Sequence, residues 1–152
     1  SRETIKSISG IVEGIDRLEH GAVAVFIDET YIVDKEYILE KECKRLVLDG
    51  GRGVLIEKPI DLWEDGMEML EALTSIDGAI LLDFSGRCYA CGVILDGESQ
   101  RKGNLSRGAR YNSTKTYVES FCSHYGPKRA LGIVKSDDKM INLLDGIMGH
   151  NI

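Results

Sequence analysis

From Ile5 through Ile8, Ile11, Val12, Ile15 and Leu18, apolar residues return every third or fourth position. This is the spacing of one helix face, and it predicts an amphipathic helix over residues 3–19 that ends at His20-Gly21. The run Ala22–Ile27 (AVAVFI) has no polar alternation, which suits a strand buried on both faces. Between 30 and 50 the Tyr, Ile, Leu and Cys positions fit a helix best from Lys35 to Leu46. Asp49-Gly50-Gly51-Arg52-Gly53 reads as a turn, and Val54-Leu55-Ile56 as the next strand. Pro59 stands where a helix can start, with Asp61, Glu64 and Asp65 near its positive end. Leu62, Trp63, Met67, Met69, Leu70 and Leu73 supply that helix with apolar content.

Ile76–Leu82 and Arg87–Leu95 read as two strands joined at Asp83-Phe84-Ser85-Gly86. A polar loop follows from Asp96 to Ala109, then a helix from Tyr111 to Tyr125 that stops at Gly126-Pro127. Ala130–Val134 and Met140–Leu144 form a last hairpin across Ser136-Asp137-Asp138. Helices alternating with strands and hairpins predict an α/β fold, a mixed central sheet flanked by helices.

Composition narrows the picture. A length of 152 residues fits a single domain, and 43% hydrophobic with 29% charged residues is enough for a core without staples. The chain starts at Ser1-Arg2 without an initiator Met, and it is expected to be part of a longer protein. A net charge of −6 gives no broad electrostatic footprint for DNA or RNA. No apolar run is long enough to span a membrane and no secretory pattern precedes the four cysteines. A cytoplasmic setting with reduced thiols is therefore expected.

Cys88 and Cys91 have the spacing of a zinc or redox pair. Cys43 and Cys122 offer no second pair, and residues three apart on a strand should face opposite ways. All four are expected to be buried core thiols. His20, His124 and His150 form no metal-binding set, and no Walker loop or dinucleotide fingerprint occurs.

Three segments carry candidate chemistry. Asp77-Gly78-Ala79 opens the strand DGAILLD, where a carboxylate can hold a divalent metal or take a proton from a hydroxyl, and small residues admit a ligand. The same residues also suit a plain turn before a strand. From Gly103 to Thr114 a glycine-containing loop runs into a helix start, where free amides face outward; Arg107 and Arg110 add donors for phosphate. Here Tyr111 can stack on a base or simply pack, and Asn112 or Ser113 can serve as a cap. Ser136-Asp137-Asp138 offers a hydroxyl and a carboxylate, or forms a polar turn.

In this order the segments resemble the diadenylate cyclase domain family, including the N-terminal nucleotide-binding domain of the DNA-integrity-scanning protein. The likeness extends back to His20-Gly21-Ala22-Val23-Ala24-Val25 and so spans most of the chain. It implies two ATP molecules held face to face across two subunits. Magnesium or manganese then helps each 3′-hydroxyl attack the other nucleotide's α-phosphate, giving cyclic di-AMP. By carry-over, Asp77 is the catalytic and metal-binding residue, with Gly78 and Ala79 beside the nucleotide. Gly108 and Arg110 match the second family motif, and Arg107, Tyr111, Asn112, Ser113 and Ser136 stand at nucleotide-binding positions. The family's Gly-Thr-Arg-His-Arg is here Gly108-Ala109-Arg110-Tyr111-Asn112. Tyr is no cation at neutral pH and Asn carries no charge, so two groups facing phosphate are replaced; Arg107 can restore one charge. Two functions follow from the resemblance: an active cyclase that keeps Asp77, or a catalytically inactive sensor of a nucleotide or cyclic dinucleotide.

Overall fold

Every side chain of Ala22–Ile27 is buried, three on each side of a sheet, which is why this run (β1) shows no alternation. The computed structural model describes residues 2–95 and 107–146. Around β1 the chain runs α1 (Arg2–Asp16), β1, β2 (Ile32–Val33), β3 (Glu36–Tyr37), α2 (Ile38–Gly50), β4 (Val54–Asp61) and α3 (Leu62–Thr74). It continues β5 (Ala79–Asp83), β6 (Arg87–Val93), α4 (Arg107–Tyr125), β7 (Ala130–Lys135) and β8 (Ile141–Leu144). Six strands form one sheet in the order β4-β6-β5-β1-β7-β8. β1 and β5 run parallel and the other pairs antiparallel.

Residues Ile38, Leu39, Cys43 and Leu46 of α2 pack with Tyr117, Val118 and Phe121 of α4 on one face of the sheet. Ile11 and Ile15 of α1 pack with Leu62, Leu70 and Leu73 of α3 on the other. The expected mixed central sheet flanked by helices is the architecture found.

Local expectations fail at four places. α2 starts at Ile38 and not at Lys35, because residues 32–37 form a separate two-stranded ladder. Asp34 and Lys35 turn that ladder with φ of 52° and 69°. Two positive-φ residues suit a tight hairpin, but Asp-Lys lacks the glycine that normally signals it. Pro59 does not start a helix; it lies inside β4 at the sheet edge, where pairing with β6 shifts between Leu55 and Ile60. A residue without an N–H is tolerated there. α3 begins three residues later, capped by Asp61, whose Oδ1 accepts the Trp63 N–H at 3.0 Å.

Cys88 and Cys91 do not face opposite ways. β6 holds an extra residue opposite β5 on each side of Ala90, and these bulges put both thiols in the core under α1 and α3. All four cysteines are free and buried, as expected. Lastly, α4 starts at Arg107 and not at Tyr111, so Asn112 and Ser113 lie in its second turn and cap nothing. The remainder of the polar loop, 96–106, lies outside the described residues.

Candidate functional site

The parallel pairing of β1 and β5 brings the starts of both strands to one rim of the sheet, and antiparallel β7 ends at that rim. His20-Gly21, the stretch Thr74–Ala79, Arg110 and Asp137 meet there around a cavity of about 260 Å³. That is slightly below the roughly 300–1,000 Å³ of typical small-molecule sites. Asp77, Gly78, Ala79 and Arg110, four residues named from sequence, thus share one cavity although Arg110 is remote from the others in the chain.

The backbone at Asp77-Gly78 is shaped by close approach. Gly78 has φ of 117°, and a Cβ there would fall 2.6 Å from the Gly92 carbonyl carbon. Gly92, on the β6 bulge, has φ of 66° itself. The Asp77 carbonyl accepts a hydrogen bond from Arg52 Nη2. Its side chain is exposed and has no protein partner among the described residues. The turn alternative therefore describes part of the truth: Asp77-Gly78 does open a strand, with its carboxylate left for solvent or ligand.

On the opposite wall, Asp137 Oδ1 accepts the Gly21 N–H at 3.1 Å and faces Arg110 Nη1 at 3.2 Å. The Gly21 amide, then the Arg110 guanidinium, hold the Asp137 carboxyl below the usual carboxylate range. Arg110 is mostly buried on its side chain, at 19% exposure, while Asp137 is 73% exposed. Gly21 is required at this crossing, because a Cβ would meet Arg110 Nη1 at 2.5 Å and the Lys135 carbonyl at 2.9 Å.

The other named residues sit apart from these. Gly108 is exposed and Tyr111 is half-buried, packed on the core under α2 and α4. Asn112 is exposed, and Ser113 is buried with its hydroxyl donating to the Arg110 carbonyl at 3.3 Å. Ser136 is buried; its hydroxyl bonds Asp138 and the Met140 carbonyl, fixing the β7–β8 turn. The backbone of Arg107 starts α4, and its side chain lies outside the described residues.

Sequence reasoning did not assign His20, Gly21, Arg52 or the Thr74-Ser75 pair to the site. Only Gly21 carried a signal, a glycine directly before a fully buried strand.

Among the described residues, no three His, Cys, Asp or Glu side chains converge to hold a metal. Magnesium needs no such cage, since one or two carboxylates and substrate phosphates suffice. Asp77 is a carboxylate suited to that part.

No known protein family and no curated protein matches the chain by sequence. Solved structures do match. DacA from Staphylococcus aureus, an N166C/T172C double mutant, aligns with a TM-score of 0.57 and 19% identity over 96% of this chain and 84% of its own. A hypothetical membrane-spanning protein from Bacillus cereus aligns with a TM-score of 0.54 and 18% identity. That match covers 93% of this chain and 61% of the other. In the chain itself, no helix among the described residues is long and apolar enough to cross a membrane. Its fold is the α/β fold of DacA, the diadenylate-cyclase-like architecture that its ordered motifs imply.

Proposed function

We propose that this domain binds adenine nucleotide at the β1–β5 rim and condenses two ATP into cyclic di-AMP, releasing two pyrophosphates. The observation that carries the reading is the convergence of Asp77 and Arg110 on one cavity. They are the surviving members of the two motifs that define the family's active site. Asp77, exposed and free of protein partners among the described residues, is placed to take the proton of a ribose 3′-hydroxyl. Arg110 supplies charge-assisted donors to a phosphate. Gly78 lets the nucleotide approach the backbone. A magnesium or manganese ion, held by Asp77 and the phosphates, would supply positive charge at the reacting phosphorus. Each cavity holds one nucleotide, so the reaction needs two copies face to face.

The test is incubation with ATP and Mg²⁺ or Mn²⁺, with cyclic di-AMP and pyrophosphate followed by chromatography. Product from the native chain and none from Asp77→Asn supports the reading. Absence of product with either metal overturns it.

A second reading, a sensor that binds a nucleotide or cyclic dinucleotide without turnover, also has an observation behind it. Arg110 is already paired with Asp137, and its neighbour Tyr111 is turned toward the core. Saturable binding of ATP or cyclic di-AMP without product would select it.

A further inference from the structure

Strand β7 ends in a lysine whose side chain is fully buried, with no solvent exposure at Lys135. The period-2 alternation of a strand explains the direction it takes. Ile133 points into the core beneath α1 and α3, and Lys135, two residues on, points the same way. Its Nζ reaches the end of α1 and donates to the carbonyls of Ile15 at 3.1 Å, Asp16 at 2.6 Å and Leu18. An ammonium has three donors, and all three are used. Among the described residues no carboxylate stands within ion-pair distance of it. Lys139, on the following turn, donates to the next carbonyl, that of Glu19, at 2.9 Å. One lysine from the end of β7 and one from the β7–β8 turn therefore hold the chain exit of α1.

That exit is also the approach to the cavity, because the next residues are His20 and Gly21. Lys135 pairs in register with Ala22, and its backbone carbonyl lies against Gly21. Two positions along the same strand end, Asp137 receives the Gly21 amide. We infer that Lys135 is a positioning residue: by binding the last carbonyls of α1 it fixes His20-Gly21 against the β7–β8 turn. The Gly21–Asp137–Arg110 wall of the cavity is thereby assembled before a nucleotide arrives. Burying an ammonium among carbonyls is a costly way to end a helix, since glycine caps and water usually do so. The arrangement is accounted for by what it locates.

The inference rests on the proposed nucleotide site for its functional part, but not for its structural part. The experiment is Lys135→Met in the full chain, with Lys135→Arg and a core control, Val118→Ala, which leaves the cavity untouched. Amide hydrogen exchange at Gly21 is read in the absence of nucleotide. Affinity for ATP with Mg²⁺ and for cyclic di-AMP is read by calorimetry well below the unfolding temperature. Lys135→Met is expected to speed Gly21 exchange at least about tenfold and to weaken nucleotide binding by a similar factor. Arg, which keeps the charge, restores part of both, and Val118→Ala lowers the melting temperature without changing either. If Lys135→Met does not fold, Lys135→Arg decides, because a guanidinium cannot place three donors on one converging set of carbonyls and Gly21 exchange must still rise. Unchanged exchange at Gly21 in a folded variant overturns the inference. A native chain that binds neither nucleotide overturns the proposed function, while Gly21 exchange still decides the role of Lys135.

Discussion

Gly78 and Gly92 approach so closely that a methyl group on residue 78 would sit 2.6 Å from the residue-92 carbonyl carbon. The motif glycine is thus fixed by the backbone behind it, independently of any ligand in front. Gly78→Ala is expected to lower stability by about 2–4 kcal/mol, combining a disfavoured φ with overpacking against backbone. Urea denaturation followed by circular dichroism measures it. A loss below about 0.5 kcal/mol would mean that the two backbones separate easily.

Asp77→Asn should behave in the opposite manner. The side chain is exposed and makes no hydrogen bond or ion pair with described residues, so stability should change by less than about 0.5 kcal/mol. Formation of cyclic di-AMP should fall by about 10²–10⁴-fold, the usual contribution of a positioned base. A variant retaining native turnover would remove Asp77 from the chemistry.

Arg110 is held by Asp137 and is mostly buried, so its loss is felt at the cavity before it is felt in the fold. Arg110→Ala should weaken binding of ATP by about 10–100-fold, as expected for one lost charge-assisted hydrogen bond of roughly 1.5–3 kcal/mol. Arg110→Lys should recover only part, since a point charge replaces a planar fork. Calorimetric titration of both variants provides the comparison.

Away from the cavity, Glu42 is buried and accepts hydrogen bonds from Arg45 at 2.7 Å and from the Tyr117 hydroxyl at 2.7 Å. Burial pushes its carboxyl up, but the bonds from Arg45 and Tyr117 outweigh that and leave it below the usual carboxylate range. A depressed folded value means that the carboxylate contributes stability above the unfolded value of about 4.3. That contribution is lost as pH falls through the folded value. Glu42→Gln should therefore cost about 1–3 kcal/mol at neutral pH, and the gap to the native chain should close in acid. Melting temperatures from pH 7 down to pH 3 show whether it closes.

Burial pushes the Cys43 and Cys88 thiols up to about 12. With Cys91 and Cys122 also buried, the folded protein should react with a thiol reagent only slowly, and all four should react once it is unfolded. A fast-labelling thiol in the native state would point to local opening.

The layered fold was legible because its strongest signals were long and local. α1 and the hairpins around Asp83 and Asp137 follow from apolar period and turn chemistry, and β1 from an unbroken apolar run. What escaped depended on partners distant in sequence. Pro59 suits a helix start in isolation, and only its place in the edge strand β4, between Leu55 and Ile60 where pairing with β6 shifts, explains it as a strand residue. The shared side of Cys88 and Cys91 comes from extra residues whose existence is defined only against β5. Asp77 and Arg110 were legible as residue types, but the wall that joins Arg110 to Gly21 through Asp137 leaves no motif. Lys135 looks like the polar end of a strand until α1 is placed beneath it.

The parallel pairing of β1 with β5 has an electrical consequence for the cavity. α3 delivers its carbonyl end to the rim at Thr74, and the Asp77 carboxylate follows on the same side. α4 delivers its amide end close to Arg110. The carbonyl end of α1 would add to the negative side, but the ammonium of Lys135 quenches it. One flank of the cavity thus carries the Asp77 carboxylate and the end of α3, and the other carries the Arg110–Asp137 pair near the start of α4. On the proposed function, this asymmetry would favour one orientation of a nucleotide, with phosphate toward Arg110 and sugar hydroxyls toward Asp77.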